Sequence, residues 1–425
     1  MEFKNTLAFA QQLDKEDPLR SFRDQFYIPL HNGKEKIYFD GNSTGLQPKS
    51  VKDYVLQELE DWQTLGGDGH FEARRPWYPY HEFFTKQLCA IIGCLPEEVV
   101  AMNSLTVNIH LLLVSFYRPT KQRYKIICES KAFPSDQYAL ESQVKHHGFN
   151  PETAIIEVKP GPGTTTITHT DILNTIKEHK DSLALVYLGG INYYTGQAFN
   201  MKEITKAAHD AEAYAGFDLA HAAGNIELQM HDWNADFACW CTYKYLNSGP
   251  GSVGGIYIHQ RHATNKNFPR FAGWWGYIKD TRFRMEKGFD PIPTAEGWQL
   301  SNAPVLSLAA HMAALDVFDK AGLENVFKKR TLLTGYLIYV LDEVRKITGK
   351  NGPEVITPRE ETGRGSQVSF IIKEKGRDVY DKLIANGVTC GWREPEVIRV
   401  APVPLYNSFE EVWQFGDLLR SILQN

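Results

Sequence analysis

The residue of this sequence best placed for covalent chemistry is Lys244, which stands where an apolar run meets a turn. Residues 238–243 are mostly types found in buried strands, and residues 247–251 are Asn, Ser, Gly and Pro, which favour turns. Most lysines keep their amine in water at the surface. Because its flanks predict a buried strand end, the Lys244 amine is expected to be withdrawn from water and to be a candidate nucleophile.

A second short apolar run, residues 216–222, contains a carboxylate and an imidazole three residues apart, Asp218 and His221. The spacing fits the ends of two neighbouring strands. A lysine, a carboxylate and a flat ring suit pyridoxal phosphate, since the lysine holds its aldehyde, the carboxylate keeps the pyridine nitrogen protonated and the flat ring covers the pyridine. Lys244, Asp218 and His221 match these three roles.

With these residues, the sequence resembles fold-type-I pyridoxal-phosphate enzymes and, more closely, the kynureninase family. The stretches that carry the resemblance follow one another in order over nearly the whole chain. They are residues 133–136, 193–197, 217–221, 240–247 and 398–402.

The resemblance implies an α/β fold with a mostly parallel sheet in the large domain and a smaller α+β C-terminal domain. The sequence pattern agrees, because apolar strand-like runs at 124–128, 152–158 and 183–188 alternate with helical periodicity at 171–180. We expect an N-terminal segment, 1–64, that packs on the small domain, a large cofactor-binding domain, 65–310, and the small domain, 311–425. A long helical pattern from about 305 to 347 is expected to link the last two. In the small domain the pattern predicts a strand at 368–372, a helix at 376–386, strands at 387–390 and 397–401, and a helix at 409–423.

The family also implies which residues hold the cofactor. Its phosphate is expected at Leu105 and Thr106, where a helix begins and offers free backbone amides. Simple helix capping by Ser104 or Thr106 remains the alternative. The family places Phe133 against the cofactor ring, with the other residues of the same turn beside it: Pro134, Ser135 and Asp136.

Further family residues lie in loops. Tyr243 is expected to bind phosphate and to assist proton transfer, Trp274 to contact the phosphate, and Asn302 to contact phosphate or substrate. The loops that carry Trp274 and Asn302 cross a dimer interface in related enzymes, so the resemblance implies a homodimer with shared active sites.

Arg399 lies in an apolar strand-like run, where a charge is costly unless it is paired. A guanidinium suits a carboxylate, and the family uses this arginine for the substrate's α-carboxylate. An ion pair with Glu394 or Glu396 is the alternative. One departure from the family is Gly189, where a Ser or Thr is common, so a hydroxyl near the cofactor ring is missing.

The implied reaction is the hydrolysis of L-kynurenine or 3-hydroxy-L-kynurenine to anthranilate or 3-hydroxyanthranilate plus L-alanine, in tryptophan catabolism or NAD biosynthesis. His70, Ser301 and Asn302 match the family members that can hydrogen-bond a ring hydroxyl, so the 3-hydroxy substrate is favoured. A cysteine desulfurase, with Cys390 as nucleophile, is the nearest alternative enzyme. A non-enzymatic regulatory member is the other, although Lys244 and Asp218 speak against it.

Composition limits the other possibilities. The chain has 425 residues, 43% of them hydrophobic, and a net charge of -5, values that are not typical of nucleic-acid binders or disordered chains. It contains no 18-residue apolar run, no recognisable signal peptide and no Cys-x-x-Cys pair, so we expect a cytoplasmic protein with free thiols and no membrane contact. His259 and His262 have no carboxylate or thiolate nearby in sequence; we expect a surface pair and no metal.

Overall fold

The structure, a computed structural model, describes residues 2–424. Its α-helices are α1 (Leu7–Glu16), α2 (Val51–Leu65), α3 (Gly69–Glu72), α4 (Thr85–Ile92), α5 (Leu105–Phe116), α6 (Pro134–His146), α7 (Pro151–Ala154), α8 (His169–His179), α9 (Met201–Asp210), α10 (Gln260–Ala263), α11 (Val305–Ala321), α12 (Leu323–Thr348), α13 (Gly376–Ala385) and α14 (Phe409–Gln424). Its strands are β1 (Leu30–His31), β2 (Lys34–Glu35), β3 (Ile37–Tyr38), β4 (Val99–Ala101), β5 (Lys125–Glu129), β6 (Ile155–Val158), β7 (Leu183–Gly189), β8 (Tyr214–Asp218), β9 (Phe237–Trp240), β10 (Gly255–Ile258), β11 (Glu354–Val355), β12 (Val368–Ile371), β13 (Val388–Thr389), β14 (Gly391–Arg393) and β15 (Val397–Val400).

A seven-stranded sheet forms the centre of the large unit, in the order β4-β10-β9-β8-β7-β5-β6. Strands β6, β5, β7, β8 and β9 are parallel, while β10 runs antiparallel to both β9 and β4. The strands are continuous apolar runs because hydrophobic clusters cover both faces of the sheet. The predicted α/β fold with a mostly parallel sheet is therefore confirmed.

The carboxyl ends of the parallel strands meet at one edge of this sheet. Gly189 at the end of β7 is in register with Asp218 at the end of β8, and Asp218 is in register with Cys239 of β9. Lys244 follows β9 by four residues. Ligands of open α/β sheets bind at this edge, so the topology brings the predicted lysine and carboxylate together.

The C-terminal unit is built on a second sheet, antiparallel, in the order β11-β12-β15-β14. Helices α12, α13 and α14 share its hydrophobic core. The predicted order of strand, helix, strand, strand and helix after residue 368 is found, with β14 as an additional strand.

The N-terminal segment attaches to this C-terminal unit at several points, among them a helix cap and a strand pairing. The Asp14 carboxylate of α1 accepts the backbone N–H groups of Phe409 and Glu410 at the start of α14, at 2.7 and 2.9 Å. Strand β3 pairs in parallel with β13. Helix α2 instead packs against α11. The domain boundaries at residues 64 and 310 remain predictions.

The helical pattern expected between residues 305 and 347 divides at Gly322, which has a φ of 74°. A left-handed residue ends α11, and α12 begins at the next residue. None of the helices within residues 2–424 is long and apolar enough to cross a membrane.

Candidate active site

A cavity opens where β5, β7 and β8 end, and it encloses about 680 Å³ of space that is partly open to solvent. It brings most of the predicted cofactor residues together with several residues that were not predicted. The lining residues are Ser104, Leu105, Thr106, Glu129, Phe133, Ser135, Asp136, Gly189, Ile191, Tyr193, Asp218, Ala220, His221, Tyr243 and Lys244.

Lys244 projects into this cavity from a tight turn after β9. The turn is held by the Asn247 N–H, which donates to the Lys244 carbonyl at 3.0 Å, and by Asn247 itself in a left-handed conformation. The Gly45 N–H also donates to the carbonyl of Tyr243 at 2.7 Å, so the N-terminal segment braces the turn. Lys244 is 9% exposed, which confirms the predicted withdrawal of its amine from water.

The Lys244 amine lies between two rings. Its Nζ is 2.9 Å from Nε2 of His221 and 5.8 Å from the centre of the Phe133 ring. Burial, followed by the charge of Lys244, holds the pKa of His221 well below its usual range. The imidazole is therefore neutral, and its Nε2 can accept a hydrogen bond from the amine.

Two buried carboxyls, Asp218 and Asp136, share the floor of the cavity. Burial raises the pKa of Asp218, although the Lys244 charge opposes the shift, and Oδ1 of Asp218 accepts the Ala220 N–H at 2.7 Å. Burial and the nearby Asp218 charge raise the pKa of Asp136 far more. The hydrogen bond between the two carboxyls raises the pKa of Asp136 and lowers that of Asp218, so Asp136 carries the shared proton and Asp218 remains the anion.

The start of α5 forms the opposite wall. Ser104 is its N-cap residue, but the Ser104 side chain makes no capping hydrogen bond, contrary to one of the alternatives considered from the sequence. The Leu105 and Thr106 amides of the first turn are therefore suited to an anion. Burial raises the pKa of the nearby Tyr243 phenol, which remains protonated and able to donate.

Arg399 does not line this cavity; it lies in β15, behind the lining residue Tyr193. It is 1% exposed, and its Nη1 donates to the Tyr193 carbonyl at 2.9 Å. Its Nε and Nη2 have no hydrogen-bond partner within residues 2–424. Burial lowers the pKa of Arg399 to about 10. The ion pair with Glu394 or Glu396 is not formed, and Glu394 instead accepts from the Trp392 indole at 2.8 Å.

Several predicted residues lie outside this cavity in the single chain. His70 and Trp274 belong to exposed loops, where Nδ1 of His70 lies 2.9 Å from the Gly67 carbonyl and Trp274 is 43% exposed. Ser301 and Asn302 line a second cavity, which adjoins the first because Ser104 lines both. Pro134 begins α6 and does not line the cavity.

Around Trp274 the surface carries a group of packed aromatic side chains, which we call the aromatic patch: Phe71, Tyr78, Trp274 and Phe283. Tyr78 and Trp274 also contact the ring of Trp275, which is buried. The rings of Tyr78 and Phe71 stack at 5.6 Å, and those of Tyr78 and Phe283 at 5.8 Å. Phe71 is 63% exposed and Phe283 is 56% exposed. Exposed apolar groups of this kind mark interaction surfaces.

One cavity residue, Glu129, was missed by the sequence analysis. It is 4% exposed and accepts the Gly189 N–H with both carboxylate oxygens, at 3.2 Å each. Although its bonds to backbone N–H groups oppose the shift, burial raises the pKa of Glu129 to about 7. The signal was present, because Glu129 ends an apolar strand just as Asp218 does.

The prediction of a surface histidine pair without a carboxylate partner was wrong. Nδ1 of His259 lies 3.7 Å from the buried Glu98 carboxylate, and Nε2 of His262 lies 2.7 Å from Oδ1 of Asp236. Strand pairing brings these acids close although they are distant in sequence. His259 is thereby buried, and His262 half-buried, in polar networks at the ends of β9 and β10.

Comparison with known proteins agrees with the geometry. A family model described as the kynureninase C-terminal domain matches residues 326–419. Over its whole length the chain is similar to the kynureninase of Flavobacterium psychrophilum, with 54% identity and 100% of both chains covered. The kynureninase of Nematostella vectensis is 46% identical over 97% of this chain and 93% of its own.

Among solved structures, the cysteine desulfurase from Thermococcus onnurineus NA1 has a TM-score of 0.77 and 20% identity, covering 95% of this chain and 98% of that one. The cysteine desulfurase CsdA from Escherichia coli has a TM-score of 0.74 and 15% identity over 96% and 98% of the two chains. At these identities the likeness concerns the fold alone, which is the fold of pyridoxal-phosphate enzymes expected from the sequence. The identity to full-length relatives is much higher, and the chain belongs to the kynureninase family.

Proposed function

We propose that this protein is a pyridoxal-phosphate-dependent kynureninase, which converts L-kynurenine and water to anthranilate and L-alanine. One observation carries the proposal: in a chain that is 54% identical to a kynureninase, the Lys244 amine, the Asp218 carboxylate and the His221 ring converge in one buried cavity. The enzyme is a hydrolase that acts on a carbon–carbon bond next to a ketone.

The residues present fit the cofactor. The cavity contains buried polar atoms without a hydrogen-bond partner in residues 2–424, among them Nδ1 of His221 and Oδ1 of Asp136. It also offers one buried amine, an aromatic face at Phe133 and a helix start suited to a phosphate. When bound there, pyridoxal phosphate supplies an electron sink for the substrate's α-carbon.

Each side chain then has a defined task. Lys244 would hold the cofactor's aldehyde carbon, and its amine would move a proton at the substrate's α-carbon. Asp218, kept anionic by Asp136, holds the proton on the pyridine nitrogen. Neutral His221 and Phe133 flank the ring.

The phosphate is held by the first amides of α5, those of Leu105 and Thr106, and by the Tyr243 hydroxyl. Ser135, beside Asp136, belongs to the same wall, and Pro134 begins the helix that presents both. The lining of the cavity and the chemistry of a helix start support the assignment of Leu105, Thr106, Tyr243 and Ser135.

The substrate's α-carboxylate is bound by Arg399. Support comes from its burial and from the two guanidinium nitrogens that have no partner within residues 2–424, since a bidentate carboxylate would pair with them. Asp40 is the anion whose charge acts most strongly on Arg399 and limits the cost of keeping it buried.

The aryl end of the substrate is bound by His70, Ser301 and Asn302, which favour 3-hydroxy-L-kynurenine. These residues, with Trp274, would reach the cavity from a second copy of the chain, so we propose a homodimer with shared active sites. The exposed aromatic patch around Trp274 supports such an interface.

A desulfurase activity is not favoured. It needs a mobile thiolate, whereas Cys390 is 4% exposed, at the junction of β13 and β14, and burial raises its pKa. The assignment to tryptophan catabolism or NAD biosynthesis remains an expectation. The cytoplasmic location, supported by six free cysteines, would be tested by cell fractionation.

The activity is tested by incubating the purified protein with L-kynurenine and measuring the fluorescence of anthranilate, together with the cofactor's absorbance. Lys244→Ala serves as the inactive control. A protein with bound cofactor that leaves both kynurenine and 3-hydroxykynurenine intact would contradict the proposal.

Shared sites are tested by mixing two inactive variants, Lys244→Ala and Asn302→Ala, under conditions that allow subunit exchange. Random mixing should restore about a quarter of the wild-type sites, because each mixed dimer has one intact site. No recovery, with mixed dimers verified, would place both residues in the same chain's site.

A further inference from the structure

Glu129 and Gly189 form a contact that the proposed roles leave unexplained. Glu129 ends β5 and Gly189 ends the neighbouring strand β7. Both carboxylate oxygens of Glu129 accept the Gly189 N–H, at 3.2 Å each, and both residues line the cofactor cavity. The Glu129 carboxyl is only 4% exposed, so it contributes little to solubility and its position needs another explanation.

The backbone at Gly189 does not itself require glycine, since its φ is not in the left-handed region. The space around it is the constraint. A Cβ at this position would lie 3.0 Å from Oε1 of Glu129 and 3.3 Å from the Ile191 carbonyl oxygen. A Cβ at position 189 would therefore press on the Glu129 carboxylate, which would have to shift by a few tenths of an ångström.

The contact also reaches the residue that holds the cofactor's nitrogen. Gly189 is in register with Asp218 on the next strand, and the Gly190 N–H donates to the Asp218 carbonyl at 2.7 Å. Glu129, Gly189 and Asp218 thus lie in a row across three adjacent strands. Fixing the Gly189 peptide fixes the end of β7 beside Asp218.

The charged and titratable groups that face Glu129 come from several elements: Asp136 of α6, Asp218 of β8, Tyr193 after β7 and Lys244 after β9. Burial raises the pKa of Glu129 to about 7, and the charge of Asp218 acts in the same direction. Burial also raises the pKa of Asp136 well above its usual range, and the charges of Asp218 and Glu129 act in the same direction. Glu129 is thus one of several cavity carboxyls whose ionisation is opposed by burial.

We propose that Glu129 is a positioning residue that fills the space beside position 189, orders the Gly189 peptide and places a carboxyl next to the bound cofactor. The proposal rests on the placement of pyridoxal phosphate in this cavity.

The first test separates the carboxyl's charge from its hydrogen bonding by means of Glu129→Gln, which still accepts the Gly189 N–H. In the wild-type holoenzyme the cofactor absorbance should show a pH-dependent step near 7. The step should be absent in Glu129→Gln, with thermal stability and cofactor affinity retained. Glu157→Gln, at an exposed glutamate on β6, is the control and should keep the step. A step that persists in Glu129→Gln overturns the charge assignment.

The second test is a double-variant cycle read out by cofactor dissociation constant and by the melting temperature of the apo-protein. Gly189→Ser alone should weaken cofactor binding about tenfold by crowding Glu129, and Glu129→Ala alone by a similar factor. The cofactor dissociation constant of the double variant should return to within about threefold of the wild-type value, because the serine side chain fills the space left when Glu129 is shortened to alanine. If the two single-variant effects on the dissociation constant simply multiply in the double variant, the proposal is overturned.

Folding failure remains informative in this design. If Glu129→Ala does not fold, the proposal requires that adding Gly189→Ser restores folding. A double variant that also fails to fold counts against the proposal. Failure of the proposed function is distinguishable, because the wild-type protein would then lack the cofactor absorbance that depends on Lys244.

Discussion

The Lys244 amine lies 2.9 Å from Nε2 of His221, with both side chains buried at the edge of the central sheet. A neutral imidazole this close can accept a hydrogen bond from the amine and fix its position, while its lowered pKa makes it a poor proton acceptor. The arrangement holds in place an amine that can react as a nucleophile and later move a proton.

Lys244→Ala should abolish both turnover and the absorbance of covalently attached cofactor, because no other lysine lines the cavity in the described chain. The measurement is an absorbance spectrum of the purified variant with added pyridoxal phosphate, beside an anthranilate assay. Lys202→Ala, at an exposed lysine on α9, is the matched control and should behave as wild type. Normal turnover in Lys244→Ala would refute the assignment.

Asp218→Asn should keep cofactor bound but lower kcat by at least about a hundredfold, since a neutral amide cannot hold the pyridine nitrogen protonated. The amide oxygen still accepts the Ala220 N–H, so the strand end should remain intact. Measuring kcat and cofactor content on the same preparation separates a loss of turnover from a loss of cofactor. Asp210→Asn, on the exposed face of α9, is the control. An unchanged kcat in Asp218→Asn would show that Asp218 does not have this role.

Arg399→Lys should raise KM for kynurenine on the order of tenfold to a hundredfold, because a lysine retains the charge but not the two-pronged guanidinium. The cofactor spectrum should be unchanged. Anthranilate has no α-carboxylate, so its inhibition constant should be the same in both proteins. Equal weakening of kynurenine and anthranilate, or loss of the cofactor, would mean that Arg399 is structural.

The ratio of kcat/KM values should favour 3-hydroxykynurenine over kynurenine by about tenfold to a hundredfold, since a site that pairs a hydroxyl leaves polar groups unsatisfied when it is missing. A double variant, His70→Trp with Asn302→Thr, should reduce or reverse that ratio. Equal preference in the wild type, or no change in the variant, would defeat the substrate proposal and leave kynurenine hydrolysis untouched.

Glu296 provides a pH-dependent prediction about stability. Burial opposes ionisation, but hydrogen bonds from His81 and Lys279, at 2.9 and 2.7 Å, lower the pKa of Glu296 to about 2. Because this value lies below that of an unfolded glutamate, the stabilisation is present above about pH 4.3 and is lost as the pH falls toward 2.

Glu296→Gln should therefore lower the free energy of unfolding at pH 7 by about 1 to 3 kcal/mol, and the difference should shrink in acid. Denaturant unfolding at several pH values measures it. Glu324→Gln, in an exposed pair with Lys328, should leave the unfolding curve as in the wild type. A difference that is independent of pH would show that the Glu296 charge is not what stabilises the fold.

The sequence predicted the parts of the site that depend on local pattern. Lys244 and Asp218 each follow an apolar run directly, and parallel strands bring such ends together, so their convergence was predictable. Glu129 carries the same signal and was missed, because nothing in its own segment shows that β5 ends beside β7. The loops of His70 and Asn302 could be interpreted only by resemblance.

Contacts between distant segments explain the remaining differences. His259 meets Glu98 because β10 pairs with β4, a pairing that neither segment reveals alone. The strand expected just before Cys390 exists as β13, but it leaves the C-terminal sheet to pair with β3. Gly322 divides a continuous helical pattern, since a single left-handed residue interrupts it.

The pairing of β3 with β13 also bears on how the protein is made. Ile37 leaves the ribosome early, yet its partner, Val388, follows some 350 residues later. The neighbouring turn at Gly45 braces the carbonyl of Tyr243, so the support of the lysine turn likewise joins early and late parts of the chain. Contacts of such long separation form slowly and leave strand edges open in the meantime. Newly synthesised chains should therefore acquire cofactor-binding ability only after release, and a stalled chain lacking its last 40 or so residues should depend on chaperones.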